Sequence, residues 1–376
     1  MLKIFRNNYL AILALTAILT AWHPAVGRAQ AGNPAVAHLQ YALMGDFKLE
    51  NGRSIDQCTI AYQTFGKLNK EKNNAVLFPT WFTGTSMNLL PFVPGKLIDT
   101  TRFFLILVDA LGDGLSSSPS NSQTQPEMQF PAFSIRDMVE SEYDLLTEHL
   151  NIHHLYAVAG VSMGGMQSFQ WAVSYPGYMD RIVATSGTAK TYGHGIVRLE
   201  SEITALTTDE AFKSGDYKEE PVKGIQAFAL VWTAWLFSQE WWREELWKSE
   251  EPAGTTFAQV VDKYKTNFIP GADANNLILQ MHTWERHDVA ASPAFAGDLQ
   301  KALGSIQAQV LYMPSATDLY FPVTDARYEA PMIPHCILLP IPSLWGHPAG
   351  AGASPADSKF LNQNIAAFLE GKPLQP

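Results

Sequence analysis

The sequence predicts an α/β fold with a mostly parallel central sheet, flanking helices and an inserted helical cap. Short apolar runs closed by turn residues alternate with helical segments over residues 59–185, and the alternation resumes at residue 310. Such alternation produces parallel strands joined by right-handed crossovers. Residues 190–302 break the pattern with a long helical stretch, which reads as an insertion into an otherwise continuous core.

Residues 59–65 form a β-branched and aromatic run ending at Gly66, and residues 75–78 and 103–108 are short apolar runs. Their length and flanks indicate buried strands rather than helices. Ser134 is a good N-cap for the next segment, with Asp137 in the capping-box position. Met138, Val139, Leu145, Leu146 and Leu150 give that helix its apolar side. Residues 155–161 make another buried strand, followed by a turn and a helix over 163–174, which Tyr175-Pro176-Gly177 stops. Residues 182–185 are the next strand. Within the insertion, Phe228, Val231, Trp232, Trp235 and Leu236 fall at i, i+3, i+4, i+7 and i+8, the period of a helix. Trp232, Trp235, Trp241, Trp242, Trp247 and Trp284 all lie in it. Aromatic stripes at this spacing chiefly pack helices together, and in a cap some of them line a substrate pocket. Strands at 310–313 and 336–339 and a helix over 356–369 close the chain.

Apolar residues make up 47% of the 376-residue chain and charged residues 16%, which supports a sizeable core and excludes wholesale disorder. One enlarged α/β domain with its cap accommodates this length. The net charge of −10 and the absence of a Lys/Arg-rich block make nucleic acid and anionic membrane surfaces poor partners. Lys3 and Arg6 precede an apolar stretch at 10–19, and Ala29-Gln30-Ala31 fits a small-x-small cleavage site. This pattern predicts a leader peptide over 1–31, a mature start at Gly32 and a secreted or periplasmic protein without stable membrane insertion; the competing reading is an uncleaved anchor. The organisation is then 1–31 leader, 32–189 first part of the core, 190–302 cap and 303–376 second part of the core. Cys58 and Cys336 are the only cysteines. Both lie in strand-like runs, where free buried thiols are the simpler reading, with a disulfide open to an exported protein.

Gly160-Val161-Ser162-Met163-Gly164 is a G-x-S-x-G sequence between a predicted strand and a predicted helix. In this context the sequence is a nucleophile elbow, and the fold becomes an α/β-hydrolase fold. Small residues two before and two after the serine keep the sharp turn free of collisions. The following helix turns its N-terminal amides toward the serine, which favours developing negative charge.

A serine hydroxyl needs a base, and the base needs an orienting acid, in the chain order Ser…Asp…His and at the carboxyl ends of strands. His335, His153 and His154 precede strands and stand at the wrong end of the sheet; His282 and His287 lie in the cap. His347, in the loop after the strand at 336–339, is the predicted base. Asp318, in the loop after the strand at 310–313, is the predicted acid, with Asp325 its rival. The oxyanion donors are expected at the Met163 amide and in the loop Thr80-Trp81-Phe82-Thr83-Gly84, with Phe82 the choice there. No P-loop, dinucleotide fingerprint or H-E-x-x-H motif occurs, so no cofactor or metal is expected.

Most of the chain from residue 32 on also resembles the homoserine O-acetyltransferase family. The resemblance rests on Tyr62-Gln63-Thr64-Phe65-Gly66-Lys67-Leu68-Asn69, Asn74-Ala75-Val76-Leu77, Thr83-Gly84, Phe130-Pro131 and Ser134-Ile135-Arg136-Asp137-Met138-Val139. It continues in the elbow Ser162-Met163-Gly164-Gly165-Met166-Gln167, in Gly215-Asp216-Tyr217, and at Asp318 and Gly346-His347. It implies an acyl-serine intermediate and points to a homodimer. Members of that family pass an acetyl group from acetyl-CoA to the homoserine hydroxyl. This chain departs from them at three positions. Pro348 stands where an Asp follows the catalytic His and helps bind the homoserine amine. A cap arginine that binds the homoserine carboxylate falls near Thr204, with Arg198 a substitute. Thr80 takes the place of an oxyanion-loop histidine.

A buried zwitterion left without partners binds poorly, and water can deacylate the same acyl-serine. The sequence therefore predicts an exported hydrolase of a small ester or related acyl substrate. An O-acyltransferase using acetyl-CoA is the first alternative, and a non-catalytic binding protein on a hydrolase scaffold the second.

Overall fold

The computed structural model describes residues 39–267 and 271–375. The leader and its cleavage site, read at 1–31, lie outside the described residues. One eight-stranded sheet organises the chain: β1 (Gln40–Lys48), β2 (Ser54–Phe65), β3 (Ala75–Pro79), β4 (Phe104–Val108), β5 (Leu155–Val161), β6 (Met179–Thr185), β7 (Gln309–Met313) and β8 (Cys336–Leu338). Its spatial order is β1-β2-β4-β3-β5-β6-β7-β8. β2 runs antiparallel to both β1 and β4, and the six strands from β4 to β8 are parallel.

The expected strands all form, and β1 is an addition. Its side chains are mostly exposed, with Tyr41 and Leu43 on the solvent side, so it lacks the apolar run that marks its neighbours. β2 starts earlier than its apolar run suggests, because pairing with β1 carries the polar stretch from Ser54 into the sheet.

Eleven helices of α type accompany the sheet among the described residues. A short turn, α1 (Ser86–Leu89), follows β3, and α2 (Ile135–Asp144) and α3 (Met163–Ser174) belong to the core. Ser134 caps α2 as expected: its Oγ accepts from the Asp137 amide, and the Asp137 carboxylate accepts from the Ser134 amide at 2.8 Å. The apolar side continues past Asp144 through a wider π turn, Leu145–His149. Between β6 and β7 come α4 (Gly193–Thr207), α5 (Val222–Leu236), α6 (Gln239–Arg243), α7 (Phe257–Thr266), α8 (Ala274–Glu285) and α9 (Leu299–Gly304). Then α10 (Val323–Glu329) follows β7, and α11 (Pro355–Leu369) closes the fold.

Alternating strand residues divide the core into two layers. Leu77, Val158, Ile182 and Val310 face α2, α3 and the inserted helices, whereas Val76, Ala157, Val183 and Leu311 face α11 through Leu361, Ile365 and Phe368. Because both faces are covered, these strands are continuous apolar runs. Cys58 on β2 and Cys336 on β8 are free and six places apart in the sheet order. At about 4.8 Å per strand they are separated by roughly 29 Å, far beyond the ~7 Å limit for a disulfide. Among the described residues, no helix is long and apolar enough to cross a membrane.

Candidate active site

The site begins with a turn that only certain residues permit. Ser162 has φ 59° and ψ −122°, a conformation costly for a residue with a side chain, and its amide is tied to the Thr185 carbonyl at 3.0 Å. The turn folds Gly160 directly onto Gly164, so a Cβ at Gly160 would overlap the Gly164 backbone. A Cβ at Gly164 would stand 2.6 Å from the Pro79 carbonyl oxygen. These two collisions are the physical content of the small–x–Ser–x–small spacing. Met163 opens α3, so its N–H belongs to the first turn, whose amides have no intrahelical acceptor.

Two distant loops bring the remaining side chains to Ser162. His347 Nε2 lies 3.0 Å from Ser162 Oγ, and His347 Nδ1 lies 2.8 Å from Asp318 Oδ2. All three side chains are buried. An ionised carboxylate can only accept, so the proton is assigned to Nδ1, and Nε2 is left to accept from the serine hydroxyl. The other Asp318 oxygen accepts from the amides of Tyr320 and Phe321 at 2.7 and 3.1 Å, which fixes the carboxylate's plane. Gly346, with φ 66°, delivers His347 under the insertion: a Cβ there would lie 2.7 Å from the Leu236 carbonyl oxygen at the end of α5.

Thr317 joins the two loops. Its Oγ1 donates to the Ser343 carbonyl at 2.8 Å and accepts from the Gly346 amide at 3.1 Å. No sequence pattern singles out Thr317, although its place one residue before the acid is a usable signal.

The loop after β3 is held against the elbow. Gln167, on α3, donates from Nε2 to the carbonyls of Thr80 and Met163 at 3.0 and 3.2 Å. Thr80 Oγ1 accepts from the Ala110 amide at 2.9 Å. Trp81 and Gly84 then close a turn through an N–H to carbonyl bond of 3.1 Å, with Phe82 and Thr83 at its centre. Among the described residues no acceptor takes the Phe82 N–H. The Met163 and Phe82 amides thus belong to two segments that Gln167 locks together.

An aromatic wall covers this centre. The Phe82 ring packs on Trp232 and Trp284 at centroid distances of 4.9 and 5.9 Å. Trp284 stacks on Phe321 at 5.1 Å, and Tyr320 and Phe321 lie 4.9 and 5.4 Å from the His347 ring. The other cap tryptophans divide differently. Trp241, Trp242 and Trp247 pack with Phe237, Phe257 and Tyr264, joining helices to one another.

Behind the wall sits a buried ion pair. Arg198 Nη1 bonds both oxygens of Glu202 at 2.8 and 2.9 Å, and the guanidinium lies over Tyr320 and Trp284 at 4.1 and 4.6 Å. Burial pushes the Glu202 carboxyl up to about 7, against the pull of Arg198. Thr204, two residues beyond Glu202 on α4, is exposed.

The excluded histidines stand elsewhere. His154 pairs with Asp180 and His282 with Glu285, while His287 is buried in the insertion, where desolvation lowers it to about 3. Asp325, the rival acid, sits in the first turn of α10. Among the described residues, no cluster of three or more His, Cys, Asp or Glu could hold a metal ion.

Fold and site together define an α/β-hydrolase-type enzyme. A family model described as the alpha/beta hydrolase fold matches residues 76–210. The chain is 36% identical over 335 residues to an ethyl acetate hydrolase of Pseudomonas veronii, covering 87% of this chain and 93% of that relative. The solved structure of an acetylester hydrolase from Corynebacterium glutamicum superposes with a TM-score of 0.84 at 31% identity, over 88% of this chain and 96% of that one. A homoserine O-acetyltransferase of Geobacter sulfurreducens is 26% identical over 335 residues, 81% of this chain and 90% of that relative. The chain belongs to the α/β-hydrolase superfamily, with both esterases and homoserine O-acetyltransferases among its homologues, and is an esterase-like hydrolase or an acyltransferase.

Proposed function

We propose that the chain is a serine esterase that hydrolyses small, uncharged acyl esters through an acyl-serine intermediate. In this reading the Ser162 hydroxyl attacks the ester carbonyl while His347 Nε2 takes its proton. The Met163 and Phe82 amides receive the oxyanion. His347 then returns the proton to the departing alcohol, and Asp318 holds the imidazolium through Nδ1–H. Water repeats the sequence on the acyl-serine, freeing the acid and restoring the hydroxyl.

The observation that carries hydrolysis over transfer is the loss of the acidic partner for an amino-acid acceptor's amine. Buried Pro348 follows His347, where a homoserine-binding carboxylate is expected from the family resemblance. Arg198, the candidate for the acceptor's carboxylate, is already bonded to Glu202 through Nη1. Glu202 thus already balances the Arg198 charge, although the buried Arg198 Nε and Nη2 have no hydrogen-bond partner among the described residues. The aromatic wall suits an apolar acyl or alcohol group instead. The relatives with hydrolase names agree with this preference.

The test is a panel of short esters assayed beside acetyl-CoA with homoserine. The reading expects acid release from the esters with water alone as acceptor. Consumption of acetyl-CoA only when homoserine is present contradicts it. We also propose export, on the strength of Lys3, Arg6, the apolar run at 10–19 and Ala29-Gln30-Ala31. Protein recovered outside the cytoplasm should begin at Gly32.

A further inference from the structure

Gln280 lies on α8 in the insertion, one turn before Trp284, and is buried. Its two polar atoms are both used on the core. Oε1 accepts from the Thr83 amide at 3.3 Å, and Nε2 donates to the Leu111 carbonyl at 3.2 Å. Both atoms are thus engaged on the core, and the loops they join are the route by which it can act on the site.

Those loops are the one after β3, which carries Phe82, and the one after β4. Thr83 is held at φ 67°, the left-handed region, which a β-branched residue rarely adopts. Such a conformation persists only when its surroundings over-determine it. Here the Trp81–Gly84 bond closes the turn, and Gln280 holds the peptide between Phe82 and Thr83 by its N–H. If that peptide rotated, the Phe82 carbonyl would swing while Phe82 itself changed its torsions, and the neighbouring Phe82 amide would lose its aim.

The contact is part of a built seam. Asn276, Gln280 and Thr283 fall at i, i+4 and i+7 on α8, one face of the helix, and all three are buried. Asn276 exchanges bonds with Ser120, and Thr283 Oγ1 donates to the Phe133 carbonyl at 3.1 Å. Space around Gln280 is tight, since a Cβ at Gly112 would stand 3.1 Å from its Cγ. Of the three, Gln280 is the residue whose bond reaches the Phe82 turn. Gln167 grips that loop from the core side at Thr80, and Gln280 grips its other end from the cap.

We propose that Gln280 is a positioning residue that sets the oxyanion-binding geometry of the Phe82 turn, so that the cap helps to assemble the transition-state site as well as to wall it. The inference rests on the acyl-serine reading, with the Phe82 amide as second oxyanion donor.

The test compares wild type with Gln280→Leu, Gln280→Glu and the double variant Gln280→Leu/Thr83→Gly. Each is measured for hydrolysis of a short ester and for inhibition by an alkyl boronic acid, which forms a tetrahedral adduct at the serine. Loss of an oxyanion donor lowers kcat by about 10²–10³, so loosening one should lower it by roughly tenfold or more. Gln280→Leu is expected to show that loss in kcat, with KM changed less than about twofold and boronate affinity weakened in parallel. Gln280→Glu keeps the acceptor for the Thr83 amide but opposes a carboxylate to the Leu111 carbonyl. Its activity should recover as the pH is lowered and the carboxyl regains a donor proton. Thr83→Gly removes the backbone strain and should restore part of the kcat lost in Gln280→Leu. A folded Gln280→Leu variant with wild-type kcat and boronate affinity overturns the inference, as does a rise in KM that accounts for the whole loss. If Gln280→Leu does not fold, Gln280→Glu decides: activity independent of pH relative to wild type overturns the proposal. A wild type that neither hydrolyses esters nor binds the boronate removes the acyl-serine reading itself, and this inference with it.

Discussion

The core side and the cap side of the site are built by different means. On the core side, position follows from backbone collisions and strand ends: Gly160 against Gly164, Gly164 against Pro79, and loops leaving β7 and after β8. On the cap side it follows from long side chains reaching across. Trp232 and Trp284 meet Phe82, the Tyr320 hydroxyl donates to the Trp232 carbonyl, and Arg198 holds Glu202 behind them. Backbone-determined geometry is suited to bond making, which tolerates little displacement. Side-chain walls can be re-cut to admit another acyl group without disturbing that geometry.

Perturbing the core side should cause the largest loss. Asp318→Asn keeps the size of the side chain but removes the charge that fixes the His347 tautomer. We expect kcat to fall by about 10³–10⁴ with KM little changed, as read from steady-state kinetics on a short ester. A loss under tenfold would show that the acid is dispensable here, and the contrast between the two sides would weaken.

The cap side should respond in selectivity instead. Trp284→Phe leaves an aromatic on Phe321 but opens space beside Phe82. One methylene in an apolar pocket alters discrimination by roughly tenfold or more. The ratio of kcat/KM for butyryl over acetyl esters should therefore rise by about that factor, with kcat for the better substrate preserved. An unchanged ratio would remove Trp284 from the acyl wall.

The contrast also explains what was legible in the sequence. Ser162, Met163, Asp318 and His347 could be chosen because strand ends and chain order constrain them, and the short elbow pattern records its own steric cause. β1 left no mark because its edge position needs no continuous apolar run. Gln167 lay inside a recognised motif, yet its bond to Thr80 depends on how β3 neighbours β5, which no local pattern states. Gln280, Arg198 and the division of the cap tryptophans depend on how α4, α5 and α8 pack, and helical periodicity alone does not reveal which face meets which loop.

A smaller effect distinguishes the two sides in stability. On the core side, Glu142 of α2 is buried and accepts from Trp171 Nε1 at 2.5 Å. Burial pushes its carboxyl up to about 8 from the ordinary 4.5. The folded chain therefore keeps a proton that the unfolded chain releases. This contribution is fully present below about pH 4.5, shrinks as pH rises through that window, and is gone above about pH 8. Glu142→Gln retains an acceptor for Trp171 without the titration. Between pH 5 and pH 9 its melting temperature should fall less than that of the wild type, by roughly 2–5 °C. Parallel melting curves across that range would show that Glu142 does not titrate there.

The central claim, that Ser162 is the nucleophile of an acyl-serine enzyme, is tested most directly by labelling with a fluorophosphonate probe and mapping the adduct by mass spectrometry. Stoichiometric labelling at Ser162 is expected, with none in a folded Ser162→Ala variant. A wild type that stays unlabelled, or an adduct on another residue, would contradict it.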